Sequence, residues 1–174
     1  MKNKLFTLGL SLSMTFVFAQ DTKTFTKNNY TIDYPSSWQI SEQKTQPAVQ
    51  FMIVSDITSQ AKDNFRENIS LSEEPLQGKT LNAEQYSQIL VNQINAQIPS
   101  SKTSPTKSIN LNGIDAQELV WSADFGNGTV LKFKQVLFVN GNTGYAITYQ
   151  STTTEFDEYL VVADKIISSF KFVN

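Results

Sequence analysis

The chain has 174 residues, with 14 basic and 16 acidic side chains, a formal net charge of −2, and neither cysteine nor histidine. The first absence removes disulfides, thiol nucleophiles and thiolate metal sites, and the second removes the commonest general base and transition-metal ligand. Ser–His–Asp hydrolysis and histidine-ligated zinc are therefore excluded, and a mildly acidic chain with no basic run is poorly suited to nucleic acid or an anionic membrane.

Lys2 and Lys4 make a basic start, and Leu5 to Phe18 is an apolar stretch roughened by Thr7, Gly9, Ser11, Ser13 and Thr15. Val17-Phe18-Ala19 then supplies small residues at the −3 and −1 positions of a cleavage site. This three-part pattern is that of a secretory signal peptide of bacterial type. The apolar stretch is shorter than the ~20 residues of a bilayer span, and no cysteine follows it to carry a lipid. The expectation is that residues 1–19 are removed and residues 20–174 form one domain. That product would be periplasmic or secreted, soluble, and without a transmembrane segment. Loss of Lys2 and Lys4 takes the net charge to about −4, and the remaining length suffices for a core that needs no disulfide.

The first residues beyond the leader read as polar and turn-rich. Tyr30, Ile32 and Tyr34 then fall at spacing two, predicting a strand that stops at Pro35. The run 34-YPSSWQI-40 reads as strand, turn and strand restart, with Trp38 anchoring the bend. Val49 to Val54 is a buried strand by its apolar density, and residues 56–66 read as a polar loop. Ile69 and Leu71 alternate with serines in a strand ending near Pro75 and Gly78. From residue 82 the period becomes helical, with Tyr86, Ile89, Leu90, Gln93, Ile94, Gln97 and Ile98 on one face. Asn82 and Gln85 fit a capping box, and Pro99 ends the helix. Residues 100–107 read as a surface connection.

A β-meander follows. Ile109 and Leu111 lead into Asn112-Gly113, a strong hairpin signal, and Ile114 to Ala123 returns with Leu119 and Trp121 on one face. Gly126-Asn127-Gly128 turns the chain into Thr129–Val139, whose second face runs from Lys132 and Lys134 to Val136 and Phe138. After a further turn at residues 140–144, Tyr145, Ile147 and Tyr149 mark the last long strand. Thr152 with Glu155 fits a second capping box, before a helix with Phe156, Tyr159, Leu160, Ala163, Ile166 and Ile167 on one face. Phe170 and Phe172 suggest a short final strand. The class is α+β: an antiparallel sheet of about 7–9 strands flanked by two main helices, one on each face.

The runs 30-YTIDYPSSW-38, 112-NGIDAQELVW-121, 130-VLKFKQVLFV-139, Gly144 to Tyr149 and 156-FDEYLVVADKIISSFKF-172 together resemble the PsbP-like family. Its namesake is the extrinsic oxygen-evolving subunit of photosystem II, and it includes the bacterial envelope protein DcrB and the Ran-binding Mog proteins. The resemblance spans nearly all of the chain beyond the leader and rests on packing motifs. It implies a PsbP-like α/β/α sandwich, no enzyme activity, and a role attached to a larger assembly. With no histidine present, any family metal role resting on histidine is not carried over.

Residue by residue, no catalytic, cofactor or metal site stands out, and none is expected. Asp56, Asp63, Glu67, Glu73 and Glu74 cluster in sequence but lack the spacing and glycine of a calcium loop, so they read as solvated loop charges. Ser36 and Ser37 are turn residues without a nucleophile elbow, and Gly126-Asn127-Gly128 lacks the lysine and helix of a phosphate loop. The functional expectation is an exported, non-enzymatic module with an envelope or extracellular protein partner. A carrier of a small apolar ligand held between sheet and helix is the alternative. A hydrolase using only carboxylates such as Glu67, Glu73 and Glu74 is the third reading.

Overall fold

The computed structural model describes residues 21–42, 46–126 and 128–173, so the leader at 1–19 and Asn127 of the glycine-rich turn lie outside the described residues. Two antiparallel sheets share the strands. The smaller has β1 (Thr22–Lys27), β2 (Tyr30–Pro35) and β11 (Lys171–Phe172) in the order β1-β2-β11. β1 corrects the reading of a turn-rich start. Nearly all of its side chains are exposed or half-exposed, so it carries no apolar alternation. The ladder from Thr22↔Pro35 to Lys27↔Tyr30 holds it in place.

The larger sheet has eight strands: β3 (Gln39–Ser41), β4 (Val49–Val54), β5 (Asn68–Pro75), β6 (Lys102–Thr103), β7 (Lys107–Leu111), β8 (Ile114–Asp124), β9 (Val130–Asn140) and β10 (Thr143–Thr152). Their order is β3-β4-β5-β10-β9-β8-β6, with β7 also on β8. The expected loop at 56–66 contains a 3-10 turn, Ile57–Ser59, and a single α-turn, α1 (Gln60–Asp63). It closes at Asn64, which adopts a left-handed φ of 60°. After β5 the chain crosses one face of the sheet as α2 (Ala83–Gln97), reaches the far edge at β6 and β7, and returns through the meander to pair β10 with β5. α3 (Phe156–Ser169) lies on the other face, against β10 and β2.

The sheet is thus apolar on both sides, because residue parity along each strand selects the face. Tyr145, Ile147 and Tyr149 of β10, with Val136 and Phe138 of β9, join Phe51, Ile53, Ile69 and Leu71 under α3 and β2. Leu119, Trp121 and Ala123 of β8, with Phe133 and Leu137 of β9, form the second core under α2. Trp121 stacks on Phe133 with centroids 4.0 Å apart. The polar end of β9 faces α3, where Lys134 pairs with Glu118 at 2.9 Å and Asp164 at 2.7 Å. Two helical details differ from expectation. The inner face of α2 is Ala83, Tyr86, Ser87, Leu90, Val91, Ile94 and Ile98, whereas Ile89 is exposed and Gln93 and Gln97 point to water. α3 has no capping box: Thr152 still belongs to β10, and Glu155 itself occupies the N-cap without a side-chain cap bond.

Candidate functional site: a buried acidic cluster

At the end of β4 the chain enters the 3-10 turn, which Asp56 caps by accepting from the Thr58 amide at 2.9 Å and its hydroxyl at 2.7 Å. Those two bonds hold the Asp56 carboxyl below the usual carboxylate range. The segment then folds back on β4, with the Ser55 amide donating to the Glu67 carbonyl at 2.8 Å and the Arg66 guanidinium donating to the Ser55 carbonyl. This return turns Asp63 and Glu67 inward, toward the junction of β10 and α3.

Three carboxylates meet there. Asp63, Glu67 and Glu155 each place one oxygen within 4.8 Å of the others. Glu67 is fully buried; it accepts from the Ser55 hydroxyl at 3.2 Å and the Ser151 hydroxyl at 3.3 Å. Asp63 accepts from the Phe65 amide at 3.0 Å and the Thr152 hydroxyl at 2.6 Å. Glu155 is only 5% exposed, and its Oε1 lies 3.3 Å from Lys62 Nζ. Its Oε2 is buried with no hydrogen-bond partner among the described residues. Burial, aided by the Asp63 charge, pushes the Glu155 carboxyl up despite Lys62. Lys62 also grips exposed Glu158 at 2.7 Å, and that bond foremost pushes its ammonium up to about 12.

Two of the five acids read as solvated loop charges thus lie inside a packed junction, joined by a glutamate 88 positions beyond Glu67 in the chain. Glu155 was legible only as a helix cap, because nothing in linear spacing brings 67 and 155 together. Glu73 and Glu74 are not part of the cluster. They are adjacent on β5 and face opposite sides of the sheet, Glu73 toward Tyr30 and Tyr145 and Glu74 toward Tyr86. The structure therefore does not bring Glu67, Glu73 and Glu74 to one place. Ser36 and Ser37 stay in the turn between β2 and β3. An all-oxygen set without imidazole or thiolate suits a hard cation rather than a transition metal.

Between α2 and the sheet, where the alternative reading would hold an apolar ligand, Tyr86, Trp121, Phe133 and Leu137 pack in the second core. Open grooves lie at the surface, a small one of them between the end of β5 and Tyr86, Ile89 and Gln93 of α2. One of about 490 Å³ is formed where the start of α2 at Asn82 meets the hairpin tips at Asp115 and Asn140, with Phe172 alongside. Among the described residues, no helix is long and apolar enough to cross a membrane.

Residues 15–172 match the family model described as PsbP-like protein. The chain is similar in fold to cyanobacterial PsbP (CyanoP) from Synechocystis sp. PCC 6803, at 15% identity and a TM-score of 0.60 over 95% of this chain and 98% of that one. It is similar to LpqN, involved in cell envelope biogenesis of Mycobacterium tuberculosis, at 18% identity and a TM-score of 0.62 over 88% and 91%. The Ran-binding protein Mog1p of Saccharomyces cerevisiae is similar at 9% identity and a TM-score of 0.61 over 90% and 97%. No curated protein matches the sequence. With the doubly covered antiparallel sheet and a family match across almost the whole chain, the protein belongs to the PsbP-like family.

Proposed function

We propose that the protein is an exported, non-enzymatic binding module that docks a larger envelope or extracellular assembly. Cleavage after Ala19 releases residues 20–174 as one domain outside the cytoplasm. The observation that carries the reading is that this fold, at matching length, is shared by a protein involved in cell envelope biogenesis and by one that binds Ran. A scaffold alone does not fix a task, but the internal chemistry of this chain agrees with a binding role. Its two cores are packed with side chains, and Glu67 and Asp63 accept hydrogen bonds from Ser151 and Thr152 of β10.

The groove between Asn82, Asp115 and Asn140 is the surface assigned to the partner, because three separate elements converge there on an open concavity. The test is affinity isolation of the exported chain from envelope fractions, beside a variant carrying Asp115→Arg and Asn140→Arg. A partner recovered in stoichiometric amount with the wild type and lost with the variant supports the reading. Recovery of monomer alone contradicts it. The intact mass of the exported protein should begin at Gln20; a mass that includes residues 1–19 would overturn the export reading.

A further inference from the structure

We propose that Asp63, Glu67 and Glu155 form a calcium site that clips the 57–67 segment to the start of α3. Two observations carry it independently. The first is geometric. Oxygens bound to one calcium at roughly 2.3–2.6 Å lie no more than about 5 Å apart, and the three carboxylates each place an oxygen within 4.8 Å of the others. The second is the orphaned Glu155 Oε2, which is shielded from water and without a hydrogen-bond partner among the described residues. A carboxylate oxygen in that position calls for a cation or a donor.

The charges point the same way. Three acids converge, two of them buried. The cation paired with them among the described residues is Lys62, which is half-exposed and shared with Glu158. Calcium fits better than the alternatives. Oxygen-only ligands disfavour transition metals, and magnesium demands a near-ideal octahedron and gives up its water reluctantly. Calcium accepts an irregular shell of 6–8 oxygens, so water completes what three carboxylates begin. No calcium-loop motif marks the site, because its ligands come from two segments far apart in sequence. The inference does not rest on the partner-binding reading.

The test uses the full mature chain, stripped with chelator, titrated with calcium chloride by calorimetry and followed by melting curves. One calcium per chain is expected, with a Kd of about 10⁻⁴–10⁻³ M as in extracellular modules, and a melting temperature that rises with calcium. Glu155→Gln and Glu67→Gln should each weaken binding at least about tenfold. Asp56→Asn, on the same segment but outside the cluster, should leave it unchanged. If Glu67→Gln does not fold, Glu155→Gln and Asp63→Asn carry the comparison. Absence of both heat and thermal shift, an equal response to magnesium, or wild-type affinity in Glu155→Gln and Asp63→Asn would each overturn the proposal.

Discussion

A hydrogen at Gly144 is what lets α2 approach the sheet. A Cβ built there would lie 2.5 Å from the ring of Tyr86, whose hydroxyl is fastened to Glu74 at 3.3 Å. Gly144→Ala should cost about 1–3 kcal/mol by overpacking. In denaturant titrations its effect should shrink when combined with Tyr86→Ala, because the two changes share one contact; strict additivity would show that the ring is not the obstacle. Trp38 is 5% exposed and packs near Tyr159, so Trp38→Ala should destabilise by about 3–5 kcal/mol. An unchanged melting curve would place the ring at the surface. The tyrosines add a pH dependence. Burial, with nearby Glu73 and Glu74 respectively, pushes the phenols of Tyr30 and Tyr86 well up, and burial does the same to Tyr149. The folded chain favours the neutral phenol, so this stability is full below the ordinary value of 10.0 and is lost as pH rises above it. Phenolate absorbance should show these three titrating only as the circular dichroism signal collapses. All six tyrosines ionising reversibly near that ordinary value, with the fold intact, would contradict it. Residues like Trp38, set in a turn signal, were legible from sequence. Glu67 was not: its polar neighbours suggested solvent, and only the fold shows that serine hydroxyls surround it.

At the level of elements, local signals with short-range physics were the readable ones. The Asn82 box is present, with Gln85 N donating to Asn82 at 2.8 Å and Asn82 N donating to Gln85 at 3.0 Å. Asn82→Ala should therefore cost about 1 kcal/mol, measured by chemical denaturation. The Asn112-Gly113 turn was also legible, with both residues at positive φ, 51° and 89°. Its second task was not. Asn112 Nδ2 donates to the carbonyls of Ser168 at 2.7 Å and Phe170 at 2.8 Å, tying the hairpin tip to the end of α3. Asn112→Gly keeps the backbone conformation and removes both bonds, so a loss of about 1–3 kcal/mol is expected. Faster amide exchange around residues 168–172 should accompany it, and unchanged exchange there would contradict the clamp. The elements that escaped the reading are those without an apolar period. β1 is a solvated edge strand, β6 has two residues, and the inner face of α2 was set by Ala83 and Val91 rather than by the larger Ile89.

On the scale of the whole molecule, strands apolar on both faces dictated a covered sheet. The α+β class and the helix on each face followed from that pattern alone. The separate three-stranded sheet did not, because the pairing of β2 with β11 joins residues 30–31 to 171–172, a closure no local window contains. The function lies at this scale too. The described interior is packed, and the proposed module acts through its surface. The most direct measurement is the native size of the tagged chain in an unfractionated envelope extract. The account predicts an assembly well above the 19.5 kDa of the full chain, reduced to monomer by Asp115→Arg with Asn140→Arg. A wild-type chain that runs as a monomer in that extract would contradict it.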